Sequence, residues 1–274
     1  MLRNSQKTMY GIDIEEHRKF NLHYTPILNT TLNEKFGVYV NDSIPVGQWP
    51  IISAYAIGIG GNKTVDVAGE YNYSEHGPLD AALFQHIPFI IREASQDLTA
   101  TERAKYRMRV IEKINNREYI AYYLKNISAP ELKEGFHVIR TQKYDTNEDS
   151  TIMNNLDTTN KSYLNPKPML KKLTYNNKYD LQYITKLSKL TFSLTIPEME
   201  ELENVFKIKD LDTNTITELA ICSGVDKDVT YGKELISAQI YFHLGVTYDI
   251  TQQLLINKQL IQSINLGGLE PILY

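Results

Sequence analysis

The chain has 274 residues, enough for one large domain or two modest ones with a sizeable core. Its 42% hydrophobic and 23% charged residues are those of a folded protein, and 29 Lys+Arg against 33 Asp+Glu give a net charge of -4. That balance supplies no bulk electrostatic reason to bind nucleic acid or an anionic membrane. The single cysteine, Cys222, cannot form an internal disulfide, and no apolar run approaches the ~20 residues that cross a bilayer. Residues 1–10 lack the apolar centre of a secretory signal, so synthesis and folding in a cytoplasm are expected. The 19 tyrosines have two readings: an A+T-rich coding sequence, or rings that supply contact surface with a polar tip. Triplets such as Asn62-Lys63-Thr64 and Asn126-Ile127-Ser128 are read as products of composition, not glycosylation sites.

Residues 1–35 are polar and weakly periodic, and read as an irregular N-terminal arm with a short helix near Ile14–Phe20. Phe36–Val40 reads as a strand, followed by a turn at Pro45, Gly47 and Pro50. Ile51–Ile59 is a buried strand ending at Gly60-Gly61. Glu70–Gly77 is a loop, Leu79–His86 a helical turn or more, and Phe89–Ala94 a strand. Thr99-Ala100-Thr101-Glu102 matches a capping box, so a short helix or turn starts there. Alternation from Tyr106 to Ile111, the pair Asn115-Asn116 and the run Glu118–Lys125 predict a β-hairpin. The polar stretch 141–168, closed by Pro166 and Pro168, is a linker or a projecting loop.

Leu190–Thr195 reads as a strand. Thr195-Ile196-Pro197-Glu198 then opens a helix whose Met199, Leu202, Val205 and Phe206 share an inward face. Thr215–Ile221 is a strand ending at Ser223-Gly224, and Leu235–Tyr248 is another. A closing helix is expected over 251–264 and a tail over 270–274. The fold class expected is α+β and β-dominated, with antiparallel sheets and hairpins and a few short helices. One sheet-based domain is placed at 36–140 and a second half at 169–274, the two open to being one interleaved domain.

No catalytic, cofactor or metal set emerges. Gly58-Ile59-Gly60-Gly61-Asn62-Lys63-Thr64 has Asn62 where a phosphate loop needs glycine, so it reads as a turn. His17, His23, His76, His86, His137 and His243 have neither HExxH nor zinc spacing, and His243 lies in an apolar run that suits core or interface. Cys222-Ser223-Gly224 is not a nucleophile elbow, and Asp210 with Asp212 sit in a polar loop. Arg103, Lys105, Arg107 and Arg109 form a local positive cluster, with Arg107 and Arg109 on one hairpin face; DNA phosphates or an acidic partner could meet it, but an ordinary solvated face or a protein contact is the favoured reading.

The segment Leu98–Lys125 resembles a stretch of virion structural proteins of large tailed phages. It does so through Asp97-Leu98-Thr99, Glu102-Arg103, Tyr106-Arg107-Met108-Arg109 and Tyr122-Tyr123-Leu124-Lys125. Tyr55–Gly61 fits the same likeness. Residues 216–224 are similar to the Ile-x-Glu-aliphatic-Gly strands of tail and baseplate components, with Ala220 where glycine is common. The resemblance implies a non-enzymatic part of a baseplate, tail or head–tail connector, located in the virion, with no cofactor. Its partners would be other virion proteins and copies of itself. Interface anchors are then sought at Trp49, Tyr55, Arg107, Arg109, Tyr122, Tyr123 and Tyr241. A nucleic-acid-binding or packaging accessory, and an enzyme with an unrecognised site, stay open as alternatives.

Overall fold

The computed structural model describes residues 2–64, 71–133, 137–142, 149–153, 159, 161–164, 181–186, 188–230, 232–266 and 270–272. In chain order the elements begin with β1 (Leu2–Lys7), α1 (Met9–Lys19), α2 (Leu32–Phe36), β2 (Ile51–Ile59), β3 (Asn62–Thr64) and β4 (Tyr71–Tyr73). There follow β5 (Gln85–Ile87), β6 (Ile90–Glu93), α3 (Ala100–Arg103), β7 (Arg109–Ile114), β8 (Arg117–Tyr122) and β9 (Lys125–Asn126). The next elements are β10 (Leu132–Lys133), β11 (His137–Gln142), β12 (Asp149–Met153), β13 (Leu181–Lys186) and β14 (Ser188–Leu194). The chain closes with α4 (Ile196–Ile208), β15 (Thr215–Val229), β16 (Gly232–Asp249), α5 (Ile250–Leu255), β17 (Leu260–Leu266) and β18 (Glu270–Ile272). The fold is β-dominated, with antiparallel sheets and a few short helices, as the sequence pattern predicts.

Two compact units form. The larger takes Met1–Ile127 and Ser193–Leu260, and the smaller takes Ser128–Phe192 and Ile261–Tyr274. The expected domain at 36–140 therefore contributes to both units, as does the expected half at 169–274. In the smaller unit, β12-β11-β13-β18 is one antiparallel sheet, and β10 pairs with β14 from Leu132↔Leu190 to Lys133↔Lys189.

The larger unit is built on β15 and β16, a two-strand ribbon paired from Thr215↔Asp249 to Val229↔Gly232. On either side of the ribbon the sheet continues as β1-β16-β15-β2-β5, with β9 also on β2. Ile216 to Val225 is buried at every position, so both faces of β15 are covered. The second sheet, β6-β8-β7, carries the predicted hairpin. Asn115 and Asn116 adopt φ of 50° and 63°, the left-handed pair that a two-residue hairpin turn needs. Helix α4 starts at a capping box in which the Glu198 carboxylate accepts from the Thr195 amide and hydroxyl, and it buries Met199, Leu202, Val205 and Phe206. The Arg92 guanidinium grips the Glu201 carboxylate and ties α4 to β6.

Several expectations are corrected. Residues 1–35 are not an irregular arm. β1 pairs with β16, and α1 starts at Met9, well before Ile14, capped by Thr8. Thr8 also donates to the Ile240 carbonyl at 2.6 Å, which joins helix start to sheet. Gly11 lets α1 come that close, since a Cβ there would lie 2.7 Å from the Tyr241 carbonyl oxygen. Phe36–Val40 is not a strand, because the Thr31–Glu34 capping box commits Leu32–Phe36 to a helix that Gly37 ends at φ 67°. Leu79–His86 forms no helix: the Leu83 amide is taken by His86 Nε2 and the Phe84 amide by Glu218. β15 does not end at Ser223-Gly224, and its register shifts there instead. The 251–264 helix stops at Leu255, Asn257 turns the chain at φ 51°, and β17 follows. Glu270–Ile272 of the expected tail is strand β18. Within 141–168, β11 runs to Gln142 and β12 covers Asp149–Met153, paired together; most of the remainder lies outside the described residues.

The shift in the ribbon is a bulge. Val225 pairs with Ile236 and Ser223 with Gln239, so Ser237 and Ala238 both oppose Gly224, and Ser237 takes φ of 51°. Asn33, 2% exposed, fills the broken ladder from outside. Its Nδ2 donates to the Leu235 carbonyl at 2.9 Å and the Val38 carbonyl at 3.0 Å, and its Oδ1 accepts from the Ala238 amide at 2.7 Å. Asn33→Ala leaves these backbone groups buried without partners and should lower the unfolding free energy by roughly 2–4 kcal/mol. Asn41→Ala, at an exposed position, should change it by less than about 0.5 kcal/mol. Urea unfolding of the two variants checks both values.

Candidate functional site

Between α1 and β2 the chain runs over the ribbon with only α2 as regular structure. Polar bonds fasten it. Besides Asn33, the Tyr24 hydroxyl donates to Gln239 Oε1 at 2.6 Å, and Gln239 Nε2 donates to Thr30 Oγ1 at 2.8 Å. Burial, with the Asp13 charge, pushes the Tyr24 hydroxyl up to about 12. Burial also acts to raise the Glu34 carboxyl. Hydrogen bonds from Asn29, Thr31 and Thr30 outweigh it and hold the group below the usual carboxylate range. A small apolar cluster of Ile14, Tyr24, Ile44, Val225 and Ile236 completes the attachment.

With these groups turned inward, large apolar side chains face water. Phe20 is 70%, Leu28 82% and Val46 92% exposed, and Leu22, Ile27 and Val40 are exposed as well. Ile27, Leu28 and Val40 share one groove of about 250 Å³ with Tyr24, Asn33 and Ser237. Scattered exposed apolar residues need no explanation; the three that converge on one groove, Ile27, Leu28 and Val40, are the part of this run that calls for one.

The seven anchors sought from sequence fall in different places. Trp49 keeps part of its surface in water and donates from Nε1 to the Leu22 carbonyl at 2.9 Å, beside the apolar run. Tyr55, Tyr122, Tyr123 and Tyr241 are buried in the chain's own packing. The hydroxyls of Tyr122, Tyr123 and Tyr241 bond the carboxylates of Asp97, Glu112 and Glu15. Arg107 lies before β7 begins, 3.4 Å from Asp226, whereas Arg109 bonds Asp97 at 3.2 Å and 2.9 Å. The two arginines therefore serve different carboxylates, with side chains 13% and 27% exposed.

A second polar cluster escaped sequence reading. Phe84, His76 and His243 stack as three rings, His76 lying 4.0 Å from Phe84 and 3.9 Å from His243. His76 Nε2 is 2.8 Å from Glu218 Oε2, and Nδ1 is 3.2 Å from Asp80 Oδ2. His243 Nε2 lies 2.9 Å from the Asp80 carbonyl. His76 and Glu218 side chains are 6% and 2% exposed, so the pair clamps the 74–84 loop to the ribbon and does not face solvent as an acid–base pair. No group of three or more His, Cys, Asp or Glu able to hold a metal ion occurs among the described residues. His76 and Glu218 are 142 positions apart, and no local spacing announces them.

Residues 2–274 match the model of a family of unknown function (DUF7208), and the chain belongs to that family. No curated protein and no solved structure matches it.

Burial lowers His86 from 6.5 to about 3, with the Lys35 charge adding, and lowers His243 to about 4. Both sit below their unfolded values, so the unfolded chain binds more protons and their contribution to stability is lost as pH falls from 6.5. Each contributes a slope of about 1.4 kcal/mol per pH unit where only the unfolded form is protonated. His86→Leu should flatten the stability curve by one such slope between about pH 6 and pH 5. Urea midpoints across that window measure it, and an unchanged slope would mean that native His86 already carries a proton.

Proposed function

We propose that the protein is a non-enzymatic structural component of a tailed-phage particle. It would join other virion proteins and copies of itself in the baseplate, the tail or the head–tail connector. The likeness of Leu98–Lys125, Tyr55–Gly61 and residues 216–224 to virion proteins supports the setting. The observation that carries the mode of action is the outward apolar run Phe20, Leu22, Ile27, Leu28, Val40 and Val46 on a segment that is itself hydrogen-bonded to the sheet. A stable contact buries ~1,200–2,000 Å² in total, with apolar and aromatic residues at its centre and a polar rim. The groove at Leu28 offers such a centre, and the part-exposed Trp49 ring is tied to the same segment through the Leu22 carbonyl.

The hairpin arginines do not favour the nucleic-acid reading. Both are recessed and paired with carboxylates, whereas phosphate contacts need cations that replace counterions along an open surface.

Quantitative mass spectrometry of gradient-purified particles tests the proposal. A fixed small copy number per particle is expected, and abundance in infected cells without presence in particles would sink it. Leu28→Asp and Val46→Asp should leave the melting temperature of the isolated chain nearly unchanged and cut incorporation by about tenfold or more. Normal incorporation of both variants would remove this surface from the assembly.

A further inference from the structure

A cavity of about 290 Å³ opens where α3, the β7–β8 hairpin and the tip of the β15–β16 ribbon meet. Its size is at the lower end for small-molecule sites. Three cations line it, Arg103, Arg109 and Lys233, against one carboxylate, Glu234. Asp97 is not part of the lining; it stands behind the two arginines. Its Oδ2 accepts from Arg103 Nη2 and from Arg109 Nε and Nη2, and its Oδ1 accepts from the Tyr122 hydroxyl and the Leu98 amide. That carboxylate has its acceptors taken and fixes both guanidinium planes, as an outer group fixes the groups that touch a ligand. Arg109 reaches Asp97 through Nε and Nη2, so its guanidinium is anchored along one edge. Rings supply the remaining wall: Tyr106 and Tyr122 lie 5.4 Å apart at 45°, next to Met108.

The geometry points to a binding site for a small carboxylate carried on a flat apolar ring. Two guanidinium groups fixed by one carboxylate match the charge and forked geometry of a ligand carboxylate, and Lys233, 52% exposed at the rim and 3.5 Å from Asp226, adds a third charge. The aromatic wall takes the ring. Glu234 makes binding proton-linked. It faces Tyr39, whose hydroxyl bonds it, the Arg109 amide and the Arg109 and Arg103 charges. Burial raises its carboxyl against those interactions. An anion arriving beside it favours the neutral form further, so the ligand should bind more tightly as pH falls.

This site is independent of the assembly reading, because it is tested on the isolated chain in solution. Isothermal titration with benzoate, acetate and inorganic phosphate is the experiment. Saturable benzoate binding is expected, about tenfold tighter than acetate or phosphate. Arg109→Gln should weaken it by about tenfold, and Lys233→Gln, at a half-exposed position that does not threaten folding, by about threefold. Glu234→Gln should tighten binding near neutral pH and remove its pH dependence. No saturable benzoate binding, phosphate binding as tightly as benzoate, or indifference to Lys233→Gln would each overturn the inference.

Discussion

Two strands buried on both faces set the terms for the larger unit. Along β15 and β16 the polar residues Thr217, Glu218, Ser223, Gln239 and His243 are carried into the interior with the apolar ones. A buried polar group without a partner costs more than a hydrogen bond gains, so each side chain demands a particular partner from whatever covers the sheet. Glu218 takes the Phe84 amide and His76; Gln239 takes Tyr24 and Thr30; His243 takes the Asp80 carbonyl. The bulge at Ser237 makes the same demand of the backbone, and Asn33 meets it. The irregular segments over the ribbon are therefore specified by polar complementarity as much as by apolar burial.

This explains which elements were legible in the sequence. β2, the β7–β8 hairpin, α3 and α4 were read correctly in kind because their signals are local: a continuous apolar run, an Asn-Asn turn, two capping boxes, a helical stripe. β1 was unreadable because Leu2–Lys7 is polar and takes its strand form from β16, more than 230 positions away. Gly224 was read as a strand end, yet the strand continues through it, opposite the bulge and close against the partner strand. A Cβ there would meet the Ile236 carbonyl oxygen at 3.1 Å. Leu254 and Leu255 continue a helical pattern, but the turn at Asn257 ends it and the chain re-enters a sheet.

The candidate sites were less legible for the same reason. Tyrosine abundance suggested contact surface, and several tyrosines do make contacts, but inside the chain. Their rings fill the core and their hydroxyls reach Asp97, Glu112 and Glu15 at its margin. The hairpin arginines suggested an open basic face, but Asp97 and Asp226 come from other elements and close it. The exposed run from Phe20 to Val46 carried no signal, since apolar residues in a sequence are read as core by default.

That run inverts the usual pattern of a covering segment. Tyr24, Thr30 and Asn33 turn their polar groups toward the sheet, while Phe20, Leu28 and Val46 stand in water. Exposure of this kind forgoes about 25 cal/mol for each Å² left wet. Directed hydrogen bonds, unlike apolar packing, hold a segment in one geometry without using its apolar side chains. The free chain therefore presents a fixed apolar relief, and covering a fixed surface costs little further ordering entropy. A mobile loop would have to be ordered first; this segment is ordered before any partner arrives, which is the condition under which a small apolar patch can hold a neighbour in a defined orientation.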